Sequence, residues 1–271
     1  MTDTKDHEFN PGAYPPFASN LPVAQLETFK FDTLHADGKS LNGQTLRSAC
    51  YQHGVFYLDL TDSDPRFNQL PDYAKYQMDR LEPIFDLPQT EKDKSIFADL
   101  ASRIGGYQRA GASVVNEKHA QQFPETFNEE AVHMLLHRDM GTIAILFHWL
   151  GGLQVKDRDT GTMMWVEPKA GHAVVIVGTA LARFLDGQDE DDGTFGAWHR
   201  LVAAPGPGQG KFARYSLCYF VRPEDDVLLK KATATPLSGE LCKMRRTEGG
   251  LNRESEEGIP TAKEWISRRA G

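Results

Sequence analysis

The sequence predicts a mainly β protein, in which a β-sandwich or barrel follows a helical N-terminal region. From Gly141 onwards, short runs rich in β-branched and aromatic residues alternate with turn residues, a spacing that is typical of these two architectures. Before that point, apolar residues recur at helical spacing. The length of 271 residues is enough to bury a core in one large domain.

The N-terminal region is expected to contain an extended arm, helices and one strand. The prolines among the first two dozen residues indicate extended chain, because they occur with few periodic apolar residues. A helix is predicted over Ser40–His53, where Gly54 provides the stop signal. Val55–Leu60 is predicted to be a strand. A second helix is expected over roughly Leu70–Leu81, with Pro83 beyond its end, and a short third one over Pro88–Lys92.

The remaining elements are mostly strands separated by glycine, proline and charged residues. The runs predicted as strands are Thr142–Phe147, Gly152–Lys156, Met163–Glu167, Ala173–Val177, His199–Ala203 and Arg214–Arg222. One short helix is expected at Ala180–Leu185, and Ala262–Arg269 has the pattern of a basic amphipathic helix around Trp265 and Ile266. We expect a single domain over residues 1–271, with an arm and helical region at 1–130, the β core at 131–225 and a C-terminal extension at 226–271.

Composition excludes several classes of partner. The net charge is −8 and no long block of Lys or Arg occurs, which argues against a nucleic-acid partner. The cysteines Cys50, Cys218 and Cys242 are odd in number and widely spaced, so neither a disulfide framework nor a cysteine zinc site is expected. Because no apolar run is long enough for a signal peptide or a membrane span, we expect a cytoplasmic protein without a membrane partner. The oligomeric state is not readable from the sequence.

Candidate metal ligands occur two residues apart at His137 and Asp139. In an extended segment, side chains at i and i+2 project to the same face and can reach one ion. The pattern is weak by itself, because His35 and Asp37 form a second copy without supporting context.

Residues further along the chain make this pattern more specific. His199 follows Trp198 at the start of a predicted strand, and two imidazoles with one carboxylate form the ligand set of non-haem Fe(II) oxygenases. Arg214 and Ser216 are expected on one face of a later strand, where a guanidinium and a hydroxyl suit a carboxylate. The ordered combination HxD…H…RxS is far more specific than any of its parts.

At these residues the chain resembles the Fe(II)/2-oxoglutarate-dependent dioxygenases of the isopenicillin-N-synthase-like group. The resemblance runs from about Val55 to Glu224, is dense after His137, and also includes GYQRAGAS at Gly106–Ser113. The segments that carry its dense part are HRDMGTIAILFHWLGGLQV, WVEPKAGHAVVIVGTALARF, WHRLVAAPG and RYSLCYFVRPEDD.

The resemblance implies a fold, a ligand set and a reaction. The fold is a distorted double-stranded β-helix, a jelly-roll barrel that would occupy residues 131–225 and hold the metal site. His137, Asp139 and His199 are implied as Fe(II) ligands, and Arg214 and Ser216 as the residues that hold the distal carboxylate of 2-oxoglutarate. The implied reaction uses dioxygen and 2-oxoglutarate to hydroxylate, desaturate or cyclise a small organic molecule, a secondary metabolite in many microbial members.

Two departures from the family pattern leave alternatives open. The stretch between the GYQRAGAS segment and His137 is shorter than in the family and contains no Asn-x-Tyr, either naturally or because residues are absent from the chain. In addition, Thr179 stands where relatives often have Asp. The short spacer makes a catalytically silent jelly-roll that binds a ligand an alternative. An oxidase that uses the same iron ligands without 2-oxoglutarate is another, because Arg214 and Ser216 could hold a carboxylate of the substrate. A zinc hydrolase is a more distant one, since no general base stands at an obvious spacing.

Overall fold

Two β-sheets form the centre of the protein in a computed structural model, which describes residues 16–36, 43–61, 64–95, 132–186, 196–230 and 258–270. The strands are β1 (Thr28–Lys30), β2 (Val55–Asp59), β3 (Val132–His137), β4 (Ile143–His148), β5 (Leu153–Lys156), β6 (Met163–Trp165), β7 (His172–Val177), β8 (His199–Val202) and β9 (Ser216–Val221). The larger sheet has the order β1-β2-β7-β4-β9 and the smaller one β3-β8-β5-β6. Among these strands, β1 and β2 pair in parallel and the other pairs are antiparallel.

The helices lie before, between and after the strands. Their bounds are α1 (Phe31–Ala36), α2 (Gly43–Gln52), α3 (Pro65–Asn68), α4 (Leu70–Phe85), α5 (Gln89–Lys92), α6 (Thr179–Asp186), α7 (Gly206–Gln209) and α8 (Ala262–Ala270), with a 3₁₀ turn at Asp93–Ser95. No helix within these described ranges has the length and hydropathy needed to cross a membrane.

The inner faces of the two sheets share one hydrophobic core. In β4, every second side chain is buried, ending with His148. This alternation follows from the pleat, which sends successive side chains to opposite faces. The interior cluster draws on both sheets and contains Ala24, Val55, Tyr57, Ala144, Leu146, Leu153, Val155, Val166, Val174, Ile176 and Ala197.

The outer face of the larger sheet is covered by N-terminal helices. Side chains of α1 and α2, including Leu34 and Leu46, pack on outward-facing residues of β2 and β7 such as Phe56 and Val175. Further along the sheet, α4 contributes Ala74 and Met78 to a cluster with Trp149, against which Leu217 of β9 also packs. The helical region thus covers part of the outer face of this sheet, while Tyr219 and Phe220 of β9 are exposed.

The segment before β2 contacts both sheets. Val23 bridges to Trp165 of the smaller sheet, and the Ala24 amide donates to the Trp165 carbonyl over 2.8 Å. A few residues later, β1 pairs with β2 of the larger sheet, opposing Thr28 to Tyr57. The extended arm expected from the prolines therefore ends in a segment that connects the two sheets through hydrogen bonds.

The predicted fold class is confirmed: the chain is mainly β with flanking helices, arranged in two sheets of the jelly-roll type. Most predicted strands and helices are present, with bounds shifted by a few residues. The predicted end of the second helix is wrong, because α4 continues through Pro83 to Phe85. Pro83 has no amide hydrogen to donate to the Asp79 carbonyl, and the helix ends two residues later. The division into 1–130, 131–225 and 226–271 remains a prediction.

Candidate metal centre

The pairing of β3 with β8 brings the two candidate histidine ligands together. His137, the last residue of β3, lies directly opposite His199, the first residue of β8. Asp139 follows two residues after His137, and the candidate ligand atoms of all three side chains lie within 4.8 Å of one another. Residues that are far apart in the sequence thus form one cluster at the ends of two neighbouring strands.

Hydrogen bonds orient the two imidazoles toward the carboxylate. Nδ1 of His137 lies 2.7 Å from the Leu135 carbonyl, and Nδ1 of His199 lies 3.0 Å from the Ala197 carbonyl. Because a carbonyl only accepts, each Nδ1 must carry the proton, and the Nε2 lone pair is left for another partner. The two Nε2 atoms lie 3.6 and 3.7 Å from Oδ1 of Asp139.

The electrostatics of the cluster favour a carboxylate beside at least one neutral imidazole. Burial opposes ionisation of Asp139, but its hydrogen bond with His137 and the charge of the histidines lower its pKa overall. Burial lowers the pKa of His199. His137 is also desolvated, yet its hydrogen bonds to Asp139 and the Leu135 carbonyl raise its pKa.

The loop that carries Asp139 is held by the start of α6. The carbonyl of Asp139 accepts hydrogen bonds from the Thr179 amide over 2.8 Å and from the Thr179 hydroxyl over 3.0 Å. Gly178 lies so close to Gly141 that a side chain at position 178 would collide with the Gly141 carbonyl. Thr179 stands out in the sequence only as a departure from the family pattern, and nothing in the sequence indicates this contact.

Arg138, which lies between the candidate ligands His137 and Asp139, contacts an aromatic ring. The guanidinium of Arg138 lies 4.7 Å from the centre of the Trp198 ring. Since Trp198 immediately precedes His199, this contact joins the two segments that carry the candidate ligands. Cation–π contacts of this kind stabilise a structure by about 0.5–1 kcal/mol at exposed sites.

Arg214 lies before β9 and not within it. The sequence places Arg214 and Ser216 on one face of a strand, but β9 begins only at Ser216, so that expectation is wrong for Arg214. Its Nε donates to the Gly151 carbonyl over 2.8 Å, while its Nη2 is buried and finds no hydrogen-bond partner among the residues that the structure describes. Burial lowers the pKa of Arg214 to about 10, which leaves it charged at neutral pH.

Gly152 allows Arg214 to take this position. A Cβ atom on Gly152 would lie 2.8 Å from the Arg214 Nε and 2.6 Å from the Val202 carbonyl oxygen, and φ at Gly152 is +115°. The amide of the neighbouring Gly151 donates to Oε1 of the buried Gln209 over 2.8 Å. The sequence gives no sign of the contact between Gly152 and Arg214, which only the structure shows.

Ser216 lies on the interior side of β9. It pairs with His148 across the β4–β9 ladder, two residues before Cys218, which packs against the interior core. Burial raises the pKa of the Cys218 thiol to about 12, and the charge of Asp139 acts in the same direction. Because β4 begins close after Asp139 and ends at His148, Ser216 lies at the end of this ladder that is further from Asp139.

The residues present fit both implied groups. Two imidazole nitrogens and one carboxylate oxygen that converge within 4.8 Å suit Fe(II) and leave coordination positions for other ligands. The unpaired Nη2 of Arg214 suits an anion. Other candidates lie elsewhere or are not described: His172 faces Asp59, and GYQRAGAS at 106–113 lies outside the described residues.

Comparisons with known proteins show which proteins the chain is similar to. No family model matches the chain. It is 35% identical over 104 residues to the 2-oxoglutarate-dependent dioxygenase iboH of Amanita muscaria, a match that covers 38% of the chain and 48% of that protein. It is 29% identical over 129 residues to the 2-oxoglutarate-dependent dioxygenase ecdG of Aspergillus rugulosus, covering 47% of the chain and 37% of that protein. The chain thus spans less than half of the length of these relatives.

The fold is shared with solved structures. The T7H protein of Neurospora crassa, crystallised with alpha-KG and 5-formyluracil, superposes with a TM-score of 0.59 at 17% identity, over 93% of this chain and 99% of that one. At this identity the likeness shows the fold, a jelly-roll of two sheets. The chain is thus similar in part of its sequence to 2-oxoglutarate-dependent dioxygenases, and it shares the fold of solved 2OG-Fe(II) oxygenases.

Proposed function

We propose that the protein is an Fe(II)- and 2-oxoglutarate-dependent dioxygenase that hydroxylates, desaturates or cyclises a small organic molecule, as in secondary metabolism. The observation that carries this proposal is the convergence of His137, Asp139 and His199, whose ligand atoms lie within 4.8 Å of one another. The curated relatives named above are 2-oxoglutarate-dependent dioxygenases, which supports the same activity. The free thiols of Cys50 and Cys218 support the cytoplasm as its location.

In this proposal His137, Asp139 and His199 hold the iron. Each histidine uses Nε2, because its Nδ1 proton is engaged by a backbone carbonyl. Iron together with 2-oxoglutarate and dioxygen supplies the oxidising chemistry, in which the keto acid is converted to succinate and carbon dioxide as the substrate is oxidised. Thr179 keeps Asp139 in place through the two hydrogen bonds to its carbonyl.

Arg214 and Ser216 hold the distal carboxylate of 2-oxoglutarate. The buried Nη2 of Arg214, which has no partner among the described residues, supports this role. Burying a positive charge costs free energy unless an anion compensates it. Gly152 leaves the space in which the Arg214 side chain lies. The protein thereby fixes one end of the keto acid while its other end is left for the metal.

An anaerobic titration of metal-free protein tests the proposal. Fe(II) is added first and 2-oxoglutarate second, and a visible charge-transfer band is expected only when both are present. Aerobic incubation is then expected to release succinate. Iron binding without the band would instead favour an oxidase that does not use 2-oxoglutarate, and absence of iron binding would favour a silent binding protein.

Matched variants identify the ligands in the same titration. His137→Ala is expected to lose iron binding. His172→Ala is the control, because His172 also bonds through Nδ1 to a carbonyl two residues earlier, that of Ala170, but lies outside the cluster. Equal iron binding by both variants would refute the assignment of His137.

A further inference from the structure

His148 is a buried polar side chain that the described residues satisfy poorly. It is 4% exposed, and among these residues neither Nδ1 nor Nε2 has a hydrogen-bond partner in good geometry, although the Leu150 backbone acts as a weak one. A buried polar group left unsatisfied costs about 1–3 kcal/mol, and most buried side chains avoid this cost. A polar partner that bonds a ring nitrogen of His148 would therefore stabilise the site.

The neighbours of His148 indicate what that partner is. Ser216 lies directly opposite His148 in the β4–β9 ladder, so the two side chains share the interior face. Burial and then the charge of Arg214 lower the pKa of His148 to about 3, although the backbone of Leu150 acts in the opposite direction. His148 is therefore a neutral imidazole near a guanidinium whose Nη2 is also unpaired.

We infer that His148 donates a hydrogen bond to the distal carboxylate of 2-oxoglutarate, beside Arg214 and Ser216. This inference rests on the proposed function. A neutral imidazole, a hydroxyl and a guanidinium together offer donors and one positive charge, which matches a carboxylate better than a neutral group. The carboxylate would accept hydrogen bonds from the ring N–H of His148 and from Nη2 of Arg214 at once.

Two keto acids distinguish this role from a structural one. 2-Oxoglutarate and 2-oxopentanoate have the same chain length, but 2-oxopentanoate has a methyl group in place of the distal carboxylate. Binding of each is measured anaerobically, by calorimetry, to the Fe(II)-loaded wild type and to the His148→Leu variant. A lost hydrogen bond to a charged group predicts that the variant binds 2-oxoglutarate about tenfold more weakly or worse, with 2-oxopentanoate binding unchanged.

A second variant and a stability measurement complete the test. His148→Gln retains a donor and is expected to recover part of the 2-oxoglutarate affinity. Without keto acid, His148→Leu is expected to be at least as stable as wild type, because leucine removes an unsatisfied polar group. Equal weakening for both keto acids, or no weakening, would overturn the inference. If wild type binds iron but no 2-oxoglutarate, the proposed function itself fails.

Discussion

A methyl group at position 152 tests the packing that positions Arg214. The Cβ of alanine would lie 2.6 Å from the Val202 carbonyl oxygen and 2.8 Å from the Arg214 Nε. Neither neighbour can retreat easily, since the Val202 amide donates to the Gly152 carbonyl over 2.8 Å and the Arg214 Nε is bonded to Gly151. We therefore expect Gly152→Ala to strain the backbone and to displace the arginine.

The expected loss of stability combines two costs. A residue other than glycine at φ +115° is strained, which costs about 1–3 kcal/mol. Inserting a methyl group into a packed site costs about 1–3 kcal/mol more. The free energy of unfolding should therefore fall by about 2–6 kcal/mol, which lowers Tm by roughly 4–12 °C in a protein of this size.

Gly161→Ala is the matched control for this prediction. Gly161 also has a positive φ, +70°, but its Cβ would meet only the Lys156 Cε, at 3.7 Å. The control carries the backbone cost without the collision, and urea unfolding compares the two variants. An equal loss in both would refute the argument that Gly152 is required by its neighbours.

Three further substitutions test other contacts through the free energy of unfolding in urea. Thr179→Val should lower the free energy of unfolding by about 1 kcal/mol, because it removes the hydroxyl that donates to the Asp139 carbonyl. Thr179→Ser keeps a hydroxyl and should retain most of this stability, so equal losses in the two variants would contradict the prediction. Tyr57→Phe should lose about 1 kcal/mol, since the Tyr57 hydroxyl donates to the Glu167 carbonyl over 2.6 Å; an unchanged value would contradict it. Trp265→Ala should lose about 3–5 kcal/mol because Trp265 of α8 is 4% exposed, and a loss below about 1 kcal/mol would show that α8 adds little.

The sequence predicts most strands after Gly141 well, because local patterns are strong there. Glycines and prolines bound most strands after Gly141, and the HxD spacing needs only an extended segment to bring its two side chains to one face. Short elements such as β1 and α3 are missed, because three or four residues are too few to show a period.

Contacts between distant segments could not be predicted from the sequence. Thr179 and Asp139 meet because α6 packs beside the loop after β3, and no local pattern encodes that approach. Arg214 is assigned to a strand by its apolar neighbours, but its side chain bonds to Gly151 from the segment before β9. The unpaired nitrogens of His148 become visible only once the register of β4 and β9 is known.

The segment before β2 has a consequence for the order of folding. β1 can pair with β2 soon after both are synthesised, because they are close in the chain. The bridge between Val23 and the smaller sheet can form only after Trp165, which lies far downstream, has been synthesised. Since contacts between distant residues slow folding, closure of this edge should be a late event, reached after the larger sheet has begun to assemble.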